Sequence, residues 1–314
     1  MSTGSIAAEG TTAPPPTRRK HLTERAKSER RLAAILVAPA AIVMLAVVAY
    51  PVIDAVILSL ERNDLRFPNA TKFVGLANYG HVLSAPVWWQ DVFHTLLITV
   101  ISVSIQLVLG MLLALAMHRA LFARGAIRAI ALVPYGIVAV VAAYSWYYAW
   151  SLGNGGWIPH LLGLTGDPLA NQFGSYVAII ITEVWKNTPF MALLLLAGLA
   201  LVPDELHEAA KVDGASTWER FWRITIPLMK PAILVALLFR TLDAFRIFDT
   251  IYIFNQGAHG TESVSILNYN TLLNRLNLGL GSAVSILLFV LVGLIAFLFI
   301  KVFGAGGGPA GEAA

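Results

Sequence analysis

Four ionisable residues, Arg240, Asp243, Arg246 and Asp249, recur every three positions inside the otherwise apolar run 231–254. On one helix that spacing brings neighbours of opposite sign together, so the set reads as a ladder of self-neutralising pairs. A lone charge at the centre of a bilayer costs about 2.5–3.5 kcal/mol on insertion scales, so such groups face one another, a cavity or a partner. Two uses fit the ladder: a lock between neighbouring helices, or a polar wall along the route of a hydrophilic solute. A second set, Glu183, Lys186 and Asn187, interrupts the run 175–200. Glu183 can pair with Lys186 and lies one turn from Asn187, while Pro189 frees a carbonyl in the preceding turn. Either a solute path or a helix-packing kink accounts for it. Asp54 and Gln106 are weaker candidates and read as packing or interface residues.

Other chemistries are absent from the chain. There is no cysteine, so disulfides and thiolate chemistry are excluded. The seven histidines show no ligand spacing, which argues against a metal site. No lysine follows a glycine, so the phosphate-cradling turn of a P-loop is missing and ATP must be bound elsewhere.

The elements that hold these residues follow from hydropathy. With 57% hydrophobic and 13% charged residues, and a mean hydropathy of +0.71, the chain reads as an all-α, multi-pass membrane protein. About 20 apolar residues cross a bilayer, and six stretches qualify: 32–57, 92–117, 127–150, 175–200, 231–254 and 279–302. An even number puts both termini on one side. The loops on that side carry fifteen Lys and Arg, seven of them before Leu32; the other side has only Arg62, Arg66, Lys72 and Arg275. The positive-inside rule makes the richer side, and both termini, cytoplasmic. Trp88, Trp89, Tyr144, Trp146, Tyr147, Tyr148, Trp150 and Trp157 then fall at the opposite interface, where aromatic rings settle or stack on a sugar. Residues 1–31 read as a disordered basic tail, 32–302 as the membrane domain and 303–314 as a short cytoplasmic tail.

One cytoplasmic loop, 201–230, is an island of mixed charge. Pro203 and Asp204 suit a first helical turn, and Asp213-Gly214 a helix stop, because glycine takes the left-handed conformation at little cost. Ser216 and Glu219 have capping-box spacing, which starts a second helix that ends before Pro227.

This loop resembles that of the permease subunits of ABC importers: Glu208-Ala209-Ala210, then Gly214, then Ile224 and Pro227 at the family's intervals, with Ile226 where the pattern has Leu. Phe73-Val74-Gly75-Leu76, Asn78-Tyr79, Trp185-Lys186, Thr188-Pro189-Phe190 and Phe248-Asp249 extend the likeness to the carbohydrate, maltose-permease-like branch. One departure is that Asn255, Gln256, Gly257, Ala258, His259 and Gly260 keep the glycines of an outer loop but lose its proline. The resemblance implies a type I ABC importer permease fold with six transmembrane helices. It assigns Glu208, Ala209, Ala210, Asp213 and Gly214 to coupling with an ATPase, and Asn255, Gln256, Gly257 and His259 to contact with a binding protein. It also implies no cofactor in this chain, ATP and Mg being bound by two copies of an ATP-binding subunit. The other implied partners are a second homologous permease, an extracytoplasmic solute-binding protein, the lipid bilayer and a disaccharide, trehalose; nucleic acid is not among them. The alternatives are a self-contained secondary carrier or channel, for which no internal repeat is visible, and a membrane scaffold, which has no need of buried charge.

Overall fold

The computed structural model describes residues 24–119 and 124–304; the expectations for the tails at 1–23 and 305–314 lie outside the described residues. Contacts divide the chain into a unit ending at Ile53 and a second unit from Asp54 onward. Helix α1 (Glu24–Ser59) starts eight residues before the expected span. Glu, Arg, Lys and Ala dominate 24–31 and are strong helix formers, so that part of the stretch expected to be disordered is helical.

Within the second unit the end of α1 leads to an antiparallel pair, β1 (Glu61–Arg62) and β2 (Lys72–Phe73), with Glu61 opposite Phe73. Asn78, on α2 (Ala77–Ser84), donates to the carbonyls of Ser59 and Glu61 at 2.8 Å and fixes this turn to the helix end. Helix α3 (Pro86–Arg119) opens on a proline, which suits a first turn because the N–H it lacks has no partner there.

Hydropathy predicts one span over 127–150, but the structure has two helices, α4 (Arg124–Gly136) and α5 (Ala139–Trp150), bent by 84°. Val138 is extended at φ −56°, ψ 136°, and Pro134 has already removed one donor from the α4 ladder. A short helix α6 (Trp157–Leu161) precedes α7 (Gln172–Leu199). Helix α8 (Asp204–Val212) then stops at Gly214, whose φ is +81°. Ser216 caps α9 (Thr217–Arg220), its oxygen accepting from Glu219 N while the Glu219 carboxylate accepts from Ser216 N at 2.8 Å. This second helix does not end before Pro227 as expected. A π-helical turn, Phe221–Thr225, carries it into α10 (Ile226–Ala244), and the wider turn accommodates a residue with no N–H to give.

After α10 come α11 (Asp249–Asn255), α12 (Val264–Tyr269) and α13 (Leu278–Gly304). Among the described residues five helices are long and apolar enough to cross a bilayer, or six when the bent pair counts as one.

Lipid offers little hydrophobic drive for helices to associate, so close packing through small residues takes over. Helices α3 and α7 meet at Gly110, where an added Cβ would stand 2.7 Å from Met191 Cγ. Met111, Ala114, Met117, Met191, Leu195, Met229 and Ala236 form the buried cluster joining α3, α7 and α10. Gly198 lies against Ala232 on α10 with no room for a Cβ. Gly198→Val is therefore expected to overpack this seam, at a cost of about 1–3 kcal/mol, whereas Gly293, with nothing nearby, tolerates the same change. Thermal unfolding of the two purified variants checks this, and equal midpoints would contradict it.

Candidate functional site

Arg240 is the largest fully buried side chain among the described residues, with 0% of its surface exposed. Two side chains hold it. Its Nη1 pairs with the Asp243 carboxylate one turn on, and its Nε donates to Gln106 Oε1 on α3 at 2.9 Å. Gln106, also fully buried, donates through Nε2 to the Glu183 carbonyl on α7 at 3.1 Å. One amide thus ties three helices together. The sequence reads Gln106 as a packing or interface residue and does not reveal that the amide faces the buried charges.

Glu183 gathers the next layer. Its Oε1 accepts from Thr250 Oγ1 on α11 at 2.6 Å, and its Oε2 from Asn187 Nδ2 at 2.9 Å, as their one-turn separation suggests. The expected Glu183–Lys186 pair does not form among the described residues. Lys186 Nζ instead donates to the Ile137 carbonyl at 3.0 Å, supplying a donor at the α4–α5 break, with the Tyr135 ring 6.0 Å away.

The four-member ladder is a single rung. Helix α10 ends at Ala244 and α11 begins at Asp249, so Arg246 sits in the non-helical link 245–248 and the three-residue register is lost. Among the described residues no ion pair joins Arg246 to either aspartate. Ser263 Oγ donates to the freed Ile247 carbonyl at 3.0 Å, and Asp249 opens α11, where a carboxylate meets the positive helix end.

These breaks frame a cavity of about 440 Å³. Glu183, Lys186 and Asn187 from α7 line it, with Asp243, Arg246 and Asp249 from the α10–α11 junction and Tyr135, Phe248 and Thr250 beside them. Six of the seven residues singled out in the two charged sets thus converge on one space. Arg240 alone is excluded and lies behind the wall. A neighbouring space of about 380 Å³ shares Tyr135, Asp243 and Arg246 and adds Phe190 and Phe239. Phe248 also begins an aromatic cluster with Tyr252 and Tyr269, with ring centroids 5.1–5.2 Å apart. Among the described residues no group of three His, Asp or Glu side chains could hold a metal ion.

The other two residue sets lie apart from this cavity. Glu208, Ala209, Asp213 and Gly214 are exposed around α8, Ala210 is half-buried, and Trp218 and Trp222 are exposed on the following turn. In the segment after α11, Gln256, Gly257, His259 and Gly260 all have positive φ, so left-handed residues make the turn without the missing proline. Asn255 holds it from inside: its Oδ1 accepts from Gly257 N and Thr261 Oγ1, and its Nδ2 donates to Ser175 Oγ.

A bundle of apolar helices around a polar, charge-lined space, with a mixed-charge loop carrying an exposed helix, defines a membrane permease. The chain belongs to the family of binding-protein-dependent transport system inner membrane components, whose pattern it matches over residues 73–306. It is 56% identical over 288 residues to the trehalose transport system permease protein SugA of Mycobacterium tuberculosis, covering 91% of this chain and 94% of that one. It is 42% identical to the trehalose/maltose transport system permease protein MalF of Thermococcus litoralis, covering 90% and 97%. Its fold matches a bacterial ABC transporter involved in alginate import with a TM-score of 0.74 at 22% identity, over 90% of this chain and 98% of that one. The type I ABC importer permease fold and an inner-membrane location follow, and ATP hydrolysis belongs to separate subunits. The self-contained carrier and the scaffold are set aside by this membership.

Among the described residues, Asp243 keeps only one of its two expected partners, Arg240. Asp243→Asn strips a buried cation of its carboxylate, and breaking such a pair costs up to about 3–5 kcal/mol, less here because the Asp243 side chain is 60% exposed. Membrane abundance of Asp243→Asn should fall, recover with Arg240→Met, and not recover with Arg246→Gln. Recovery with Arg246→Gln instead would contradict the pairing.

Proposed function

We propose that this chain forms, with a second permease of its family, the path of a disaccharide, trehalose, through the membrane, and that two ATP-binding subunits drive it through the 201–230 loop. The observation that carries the reading is the convergence of Glu183, Lys186, Asn187, Asp243, Arg246 and Asp249 on one cavity of about 440 Å³. That volume lies within the usual 300–1,000 Å³ of small-molecule sites. The wall offers Lys186 and Arg246 against three carboxylates, with Arg240 behind balancing Asp243, so its formal charge is even. An uncharged polyhydroxyl solute suits such a wall, and the names of the SugA and MalF relatives supply the sugar.

The membrane domain is 32–302, with both termini and the 201–230 loop cytoplasmic. Glu208, Ala209, Ala210, Asp213 and Gly214 present α8 to the ATPase, which binds ATP and Mg. Asn255, Gln256, Gly257 and His259 then lie outside, where a solute-binding protein delivers sugar; Asn255 shapes the turn and His259 is displayed on it.

Two experiments test these assignments. The chain has no cysteine, so single cysteines at Asn154, Val212 and His259, all exposed, can be labelled in intact cells with an impermeant thiol reagent. Labelling is expected at 154 and 259 only, and labelling at 212 would reverse the orientation.

For coupling, Gly214→Val places a β-branched residue at φ +81°, where even a plain Cβ costs about 1–2 kcal/mol. Nothing lies within 4 Å of the added Cβ, so the effect is on backbone direction alone. Glu208→Lys reverses an exposed charge without touching the bend. Both variants should reach the membrane yet lose sugar uptake and binding-protein-stimulated ATP hydrolysis at least about ten-fold, the effect of 1.4 kcal/mol. Wild-type rates in both would refute the coupling role.

A further inference from the structure

Among the described residues, Gln106 is the one buried amide on α3 that touches both charged sets. It accepts from Arg240 Nε at 2.9 Å and donates to the Glu183 carbonyl at 3.1 Å, with 0% of its surface exposed. On the Arg240 side the bond has no local substitute: Arg240 is itself wholly buried, and its Nη2 has no hydrogen-bond partner among the described residues, whereas the Glu183 carbonyl also accepts from Asn187 Nδ2 at 3.1 Å. The planar guanidinium can turn only as a unit, so the Gln106 oxygen on its Nε fixes where Nη1 points. Nη1 in turn holds Asp243, whose carboxylate stands in the wall of the cavity with 60% of its side chain exposed. The opposite end of the amide holds the α7 turn from which Glu183 and Asn187 project into the same cavity.

We propose that Gln106 is a positioning residue for transport: it never meets the sugar, yet it sets the spacing between the Asp243 wall and the Glu183 wall that the sugar meets. The inference rests on reading the cavity as the sugar path. A hydrogen-bonding wall displaced by about 1 Å can cost a reaction on the order of a hundred-fold. Loss of this amide should therefore weaken the hold on the solute at the step where ATP-driven closure hands it over, leaving closure itself intact. The signature is hydrolysis without delivery.

The test uses the complete assembly in vesicles with saturating trehalose-loaded binding protein, and reads sugar taken up per ATP hydrolysed. Gln106→Leu, which removes both bonds, is expected to lower that ratio about ten-fold, with half-saturation by the loaded binding protein within about two-fold of wild type. Gln106→Glu keeps an oxygen for Arg240 Nε, removes the donor to Glu183 and adds a carboxylate beside the guanidinium that already holds Asp243, so its ratio should fall between Leu and wild type. A wild-type ratio in either variant, or a parallel loss of hydrolysis and uptake, overturns the proposal. If Gln106→Leu does not accumulate, Gln106→Glu decides by the same criterion, and failure of both to accumulate makes Gln106 a folding residue only, which also overturns it. Arg246→Gln and Asp249→Asn separate this from the cavity reading. If they lower the ratio while the Gln106 variants do not, only the positioning role fails; if they too leave it unchanged, the sugar path is elsewhere.

Discussion

A guanidinium sealed from solvent between membrane helices constrains everything near it. Neither lipid nor apolar side chains can solvate Arg240, so its neighbours must. Asp243 supplies the charge and Gln106 an oxygen, and because these come from different helices the cation fixes how α3 and α10 sit against each other. The same amide reaches α7. The close seams at Gly110 and Gly198 then hold at short range what the polar contacts hold by direction. The cavity exists because this frame is rigid on one side while the chain is broken on the other.

The breaks obey a second constraint. At membrane depth every freed carbonyl needs a donor, and water is scarce. Lys186 supplies one at Ile137, where α4 gives way to α5. Ser263 supplies one at Ile247, where α10 gives way to α11. The Glu183 carboxylate then accepts from Thr250 in the first turn of α11. Residues that look from sequence like solute ligands are in part committed to the backbone, and only the remainder of their polar capacity faces the cavity.

Much of this was legible in the sequence. The six apolar runs, the Ser216–Glu219 cap and the stop at Gly214 rest on local rules, and local rules hold where neighbours along the chain decide the outcome. The two charged sets were also legible, since charge in an apolar run demands a partner. Their pairing was not. Spacing suggested Glu183–Lys186 and a continuous ladder, but the helix break at 245–248 contains neither glycine nor proline, so nothing in the pattern announced it. Asp249 at the start of α11 was the available signal, an acid placed for a helix N-terminus. The bend at 137–138 had a clearer warning in Pro134. Gln106 was visible as an amide in an apolar helix, but its two partners are 77 and 134 residues away and only folding brings them together.

The π turn at Phe221–Thr225 joins α9 to α10 without interruption, so residues 217–244 form one rod. At 1.5 Å per residue its length is roughly 40 Å, and tilting it by about 5° sweeps one end through roughly 3–4 Å relative to the other. Trp218 stands at one tip and Asp243 at the other. If the Gly198–Ala232 contact acts as the fulcrum, it lies somewhat nearer the Asp243 end, so a push at Trp218 reaches the carboxylate reversed in direction and slightly reduced in size. The extra residue in the π turn sets the rotational phase between the two tips, and deleting one residue there would turn the Asp243 face by about 100°, a change of aim with hardly any change of reach.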